Sequence, residues 1–202
     1  MIENFIGHRS FIGVVYMAQD YALIVRNSHP EDIEAILAIK REPHVAKSQY
    51  KVNQNAYAAF LSRVLAGDNA TGIITTQFSS IEEGGAILGY VRHDHYVIDE
   101  TKMVQCSFNL SSAHWGQGRM KIALTQLINE WIGSGGVHHV FADHFRTNAR
   151  CERLLTGLYF ERQDISVIER ACTVLQQRCL QWIIRRRLDA PKWTLATNAR
   201  AM

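Results

Sequence analysis

Cysteine is scarce: the 202 residues hold four, Cys106, Cys151, Cys172 and Cys179, and none are spaced C-x-x-C. No disulfide framework is legible, and the thiols are expected to be reduced. Long apolar runs are missing as well. No stretch approaches the 18 consecutive apolar residues of a membrane-spanning helix, so no membrane partner is expected. The opening Met1-Ile2-Glu3-Asn4 is acidic where an export signal carries basic residues, and Gly7-His8-Arg9 interrupts the apolar run that follows. A cytoplasmic location is therefore expected. Charge of one sign is also lacking. Twenty-two Lys and Arg against 19 Asp and Glu leave +3, too small a bias to argue for a nucleic-acid partner. Repeats and low-complexity segments are absent. What remains is ordinary globular composition, 47% hydrophobic and 20% charged, in a chain long enough to bury a single core without staples.

The residue pattern places strands and helices in a definite order. Residues 1–20 are read as an N-terminal extension and 189–202 as a tail, with one domain over 21–188. Within it, residues 21–26 read as a strand rich in β-branched and large apolar side chains. Pro30-Glu31-Asp32 then opens a helix carrying Ile33, Ile36, Leu37 and Ile39, which Pro43 is expected to stop. A second amphipathic helix fits 54–65. Three strands follow at 71–78, 86–92 and 103–110, with 93–102 read as a polar connection before the third. A long helix is expected over 117–132, a strand over 137–142, a short helix over 148–157, a strand starting at Leu158-Tyr159-Phe160 and a last strand over 180–188. The sum is an α/β (α+β) domain on one central sheet.

The stretch from Ser107 to Met120 carries the most chemical information. It leads from a strand into a helix whose first turn holds Gly116 and Gly118. Free backbone N–H groups at a helix start, close approach through glycine and a neighbouring Arg119 together make a cradle for phosphate. The pattern is not a P-loop, because no Gly-Lys-Ser/Thr closes it, and the dinucleotide fingerprint needs a third glycine.

Two motifs at matching separation give that turn a context. His114-Trp115-Gly116-Gln117-Gly118, followed downstream by Asn148-Ala149-Arg150-Cys151 and then Leu158-Tyr159-Phe160, resembles the GNAT N-acetyltransferase superfamily. The likeness is to the branch containing ribosomal-protein and amino-terminal acetyltransferases. It implies a single GNAT-like domain with a central mixed, splayed sheet flanked by helices on both faces. It also implies acetyl-CoA as cosubstrate, no metal, and acetyl transfer to a primary amine on a protein N-terminus or a small molecule. A homodimer is an assembly this family allows. Position by position, the backbone of Trp115, Gly116, Gln117, Gly118, Arg119 and Met120 would hold the pyrophosphate. Phe108, Asn109 and Leu110 would pair with the pantetheine arm, and Asn148 would hydrogen-bond the pantetheine or acyl region. Cys151, where this branch has a serine, would lie near the thioester sulfur, either as a packed small residue or as the catalytic acid that protonates the departing thiolate.

The sequence departs from the pattern at four places. Gln105 stands where the branch carries a general-base glutamate, Tyr159 replaces a glycine, Met120 a small residue and Cys151 the serine. The substitute bases open to choice are His93, Asp94, His95, Glu100 and His144. The rival reading is a catalytically weakened module that binds coenzyme A or an acyl-CoA without turnover. A metal at His93-Asp94-His95 lacks further ligands. A nucleic-acid site at Arg185-Arg186-Arg187 lacks interleaved aromatics.

Overall fold

The structure is a computed structural model that describes residues 16–17, 22–48, 53–71, 74–98, 100–134, 136–145, 147–163 and 179–185. Its strands are β1 (Tyr16–Met17), β2 (Ala22–Asn27), β3 (Ala70–Thr71), β4 (Ile74–Glu83), β5 (Ala86–Ile98), β6 (Thr101–Leu110), β7 (His139–Phe145), β8 (Glu161–Gln163) and β9 (Cys179–Arg185). Its helices are α1 (Ile33–Arg41), α2 (Pro43–Ala46), α3 (Gln54–Leu65), α4 (Arg119–Asn129) and α5 (Ala149–Gly157). The sheet runs β1-β2-β4-β5-β6-β7-β9-β8, with β3 on β4. Of these neighbours only β6 and β7 are parallel.

Strand alternation builds a core on each face of this mixed sheet. Tyr90 and Phe78 pack with Ile36, Leu37, Leu61 and Val64 from α1 and α3. Val91, one residue along, points the other way, into a larger cluster with Leu124, Leu127 and Ile128 of α4 and Leu155 of α5. Local chemistry fixes the helix starts. Asp32 accepts from the His29 N–H at 2.9 Å and pairs with Arg26 at 2.7 Å, and Asn53 caps α3 by accepting from Ala56 N–H at 3.0 Å.

The feature that positions the site is where β6 and β7 part. Their register pairs run from Met103 with His139 to Cys106 with Ala142 and stop. β6 continues along β5 to Leu110, while β7 continues along β9 to Phe145. Two parallel strands that cease to pair leave a V, and the β7-facing edge of residues 107–110 has no strand partner among the described residues.

Several sequence expectations need correction. Residues 93–102 are not a connection: β5 extends to Ile98 and β6 begins at Thr101. Polar residues survive inside this long hairpin because they satisfy one another. His93 Nε2 lies 3.1 Å from Ser79 Oγ and its Nδ1 2.8 Å from His95 Nε2, while Asp94 accepts from Thr76 Oγ1 at 2.6 Å. Alternation puts both histidines against Trp131 and Asp94 on the opposite face, so the three do not converge on a metal. Pro43 begins α2 as well as ending α1. The long helix spans only Arg119–Asn129 and passes into a π-helical turn over Glu130–Ser134. Leu158-Tyr159-Phe160 forms a turn with Tyr159 at φ +61°, and the strand starts at Glu161. Tyr16–Met17 pairs on the edge of β2, whereas the rest of the 1–20 extension, the 189–202 tail, Arg186 and Arg187 lie outside the described residues.

His93 makes the fold sensitive to acid. Burial, reinforced by the neighbouring His95, pushes its pKa down to about 3, so it is neutral in the folded protein. An unfolded histidine titrates near ~6.5. Stability is therefore full above about pH 6.5 and falls by up to ~1.4 kcal/mol per pH unit below it, as the unfolded chain takes the proton first. Urea midpoints at pH 7.5 and pH 5 should differ accordingly, and His93→Asn should flatten the difference.

Candidate active site

β6 delivers the chain into the cradle, and the loop after it is held in place from several sides. Ser111 N–H donates to Leu88 O at 2.8 Å, and Ser112 N–H to the Glu42 carboxylate at 2.7 Å. Trp115 turns its indole N–H back onto Leu110 O at 2.7 Å. The His44 ring meets that indole edge-on, and the Arg150 guanidinium lies 4.6 Å over it. Gly116 and Gly118 then take φ of +78°, the left-handed region that glycine enters without strain. Gly118 is the N-cap of α4 and brings no side chain to cap it. The first-turn N–H groups of an α-helix have no intrahelical acceptor. A Cβ built on Gly116 or Gly118 meets nothing within 4 Å. The cradle is therefore open, lined by backbone donors and at the positive end of α4.

The side chains expected beside the cradle are placed differently from one another. Arg119 is committed elsewhere: its Nε donates to Glu83 Oε1 at 3.1 Å and its Nη2 to Oε2. Its contribution to an anion is then the backbone N–H, with the guanidinium charge largely offset. Gln117 donates to Ala113 O at 3.3 Å, and Met120 is buried in the core. Leu110 is buried and Phe108 half-buried against the same core, while Asn109 Nδ2 donates to Tyr90 Oη at 2.9 Å. The side chains of these three residues are thus engaged within the protein. Asn148 uses its Oδ1 to cap α5, accepting from Cys151 N–H at 3.1 Å.

The mouth of the V holds a polar relay that the sequence did not reveal. Gln105 is exposed on β6 and receives the Tyr96 hydroxyl on Oε1 at 3.2 Å. Its Nε2 donates to Asp143 Oδ1 on β7 at 3.4 Å. A carboxylate can only accept and a phenol donates here, so both contacts fix the same amide orientation. Burial pushes the Asp143 carboxyl above the usual carboxylate range, partly offset by the amide of Gln105. Burial, with the nearby Asp143 charge adding to it, pushes the Cys151 thiol up to about 12. Cys151 is thus a thiol at neutral pH and a weak acid. Cys106, one residue from Gln105, faces the core as expected.

The substitute bases named from the sequence do not gather here. His93 and His95 lie on the Trp131 face of β5, and Asp94 is held by Thr76 and Arg92. Glu100 occupies the hairpin turn at φ +63°, and His144 is buried with its Nδ1 at 2.8 Å from Phe145 O. The signal that would have found Asp143 is the alternation of β7, which buries 140, 142 and 144 and turns 141 and 143 towards Gln105.

Comparison with known proteins bears on the family and the fold. The sequence profile described as an acetyltransferase (GNAT) domain matches residues 22–161. No curated protein matches the chain in sequence. Among solved structures, the ribosomal-protein-S5-alanine acetyltransferase from Vibrio fischeri superposes with a TM-score of 0.64 at 13% identity, covering 89% of this chain and all of that one (100%). Mycobacterium smegmatis RimJ in complex with a coenzyme A disulfide gives 0.62 at 12% identity, over 81% of this chain and 82% of that one. An aminoglycoside acetyltransferase in complex with coenzyme A gives 0.63 at 13%, over 81% and 95%. At these identities the likeness is one of fold.

Proposed function

Since the chain belongs to the GNAT acetyltransferase family and is thereby an acyltransferase, we propose that it transfers an acetyl group from acetyl-CoA directly to a primary amine, on a protein N-terminus or a small molecule. The observation that carries this reading is the open backbone cradle at Gly116–Gly118, set just beyond the point where the parallel pairing of β6 with β7 ends, at Cys106 and Ala142. Bound there, acetyl-CoA would supply an activated thioester. The N–H groups from Trp115 to Met120 would hold its pyrophosphate, and the backbone of Phe108, Asn109 and Leu110 would run alongside the pantetheine arm. The amide of Asn148 would meet the acyl region. Gln105 would orient polar groups at the mouth of the V, with Cys151 as a thiol flanking the sulfur.

Structures that superpose on this one include proteins named for ribosomal-protein-S5 alanine, aminoglycosides and spermidine, acceptors that can each present a primary amine. Free Cys106 and Cys151 suit a reducing, cytoplasmic setting.

The test is release of free thiol from acetyl-CoA with an alanyl hexapeptide, spermidine or an aminoglycoside as acceptor. Amine-dependent release by the wild type is expected. Tight acetyl-CoA binding with no release from any acceptor would favour the non-catalytic module, the reading that Gln105 in place of a carboxylate suggests.

A further inference from the structure

We propose that Asp143 is the general base of the transfer, supplying from β7 the carboxylate that β6 lacks at Gln105; this rests on the acetyltransferase reading above. The geometry is specific. Past Ala142 the two parallel strands separate, and Asp143 is the first β7 residue beyond the last register pair that turns to the Gln105 face. Its Oδ1 lies 3.4 Å from Gln105 Nε2, across the mouth of the V rather than within one strand. Gln105 is exposed there, so an acceptor arriving from solvent meets this pair. Of the five substitute bases suggested by the sequence, His93 and His95 lie on the Trp131 face, Asp94 is held by Thr76 and Arg92, His144 is buried, and Glu100 is exposed in the β5–β6 turn. Tyr96 anchors the far side of the Gln105 amide, so the relay Tyr96–Gln105–Asp143 ends on the one group that can take a proton at neutral pH.

The chemistry closes with the groups present. The amine nitrogen attacks the thioester carbonyl carbon, a C–N bond forms, and the C–S bond breaks. The proton lost by nitrogen passes to the Asp143 carboxylate, directly or through one water. The coenzyme A thiolate then takes that proton as it leaves, which returns Asp143 to its ionised form. A carboxylic acid whose pKa burial raises is a far better donor for this than the Cys151 thiol at about 12. Cys151 therefore acts as packing beside the sulfur rather than as the acid. The titratable groups whose charge interacts with that of Asp143 are Cys151 on α5, Cys106 on the core face of β6, and His144, which follows it on its own strand. Both thiols are pushed up by burial, so neither competes for the proton between pH 5 and pH 8.

The test compares wild type, Asp143→Asn and the double variant Gln105→Glu/Asp143→Asn, using the amine that the wild type acetylates fastest among the alanyl hexapeptide, spermidine and the aminoglycoside. Asp143→Asn should lower kcat/KM by about 100-fold to 10,000-fold, with acetyl-CoA affinity by calorimetry unchanged. Below the carboxyl pKa, the logarithm of wild-type kcat/KM should climb about two units per pH unit, since amine and carboxyl must both be deprotonated. In Asp143→Asn it should climb by about one. The double variant moves the carboxylate across the same contact and should recover at least tenfold. Without any cosubstrate, the Gln105 side-chain amide resonances should follow the titration of Asp143 and stop doing so in Asp143→Asn. A variant within threefold of wild type and with the same pH profile overturns the assignment, as does a double variant no faster than Asp143→Asn. If the wild type transfers to no amine, the acetyltransferase reading itself fails, and this assignment with it.

Discussion

Gly118→Asp is expected to weaken acetyl-CoA binding by at least about 100-fold, roughly 2.8 kcal/mol. Gly118 sits at φ +78°, where a residue with a Cβ costs the fold about 1–2 kcal/mol, which lowers Tm by roughly 2–8 °C. Two effects act on binding. No protein atom lies within 4 Å of the Cβ, so the new side chain fills the space an anion would take. Its carboxylate also opposes that anion at the one place where the α4 dipole favours negative charge. The effect on folding is no larger than that strain, since nothing in the core is displaced. Calorimetry with acetyl-CoA and a melting curve on the same sample separate the two. Wild-type affinity in this variant would place the pyrophosphate elsewhere.

Gly89→Val is expected to do the reverse, damaging the fold before the site. Gly89 pairs with Leu110 at the end of the β5–β6 ladder. A Cβ there would stand 2.6 Å from Asn109 O and 3.2 Å from Leu110 Cα, both backbone atoms of the partner strand. A rotamer change cannot relieve this; β5 and β6 must move apart. A loss of about 2–4 kcal/mol is expected, which lowers Tm by roughly 4–16 °C in a protein of this size. The strand that would move is also the one that leads into the cradle. Unchanged Tm would mean that β6 does not lie against β5 as described.

How much of this could be read from the sequence depended on whether the signal was local. α3 is legible to the residue, because its apolar side chains recur at helical spacing over 54–65. The cradle is legible for the same reason: Gly116, Gly118 and the helix after them are contiguous. Residues 93–98 were misread because His, Asp and Tyr resemble a loop until Ser79, Thr76 and Trp131, distant in sequence, are placed opposite them. Arg119 looked like a phosphate cation because Glu83 is 36 positions away. Asp143 went unnoticed beside His144, since choosing between neighbours requires knowing which face of β7 meets Gln105. That choice is settled by the β6–β7 register, a long-range fact.

The account rests on one location for the cosubstrate, and hydrogen exchange read by mass spectrometry tests it most directly. Adding acetyl-CoA to the wild type should slow exchange in peptides covering residues 107–110, 111–121 and the first turn of α5, and leave α1 and α3 unchanged. Absence of protection, or protection confined to another part of the sheet, would contradict the assignment of the V between β6 and β7 as the acetyl-CoA site.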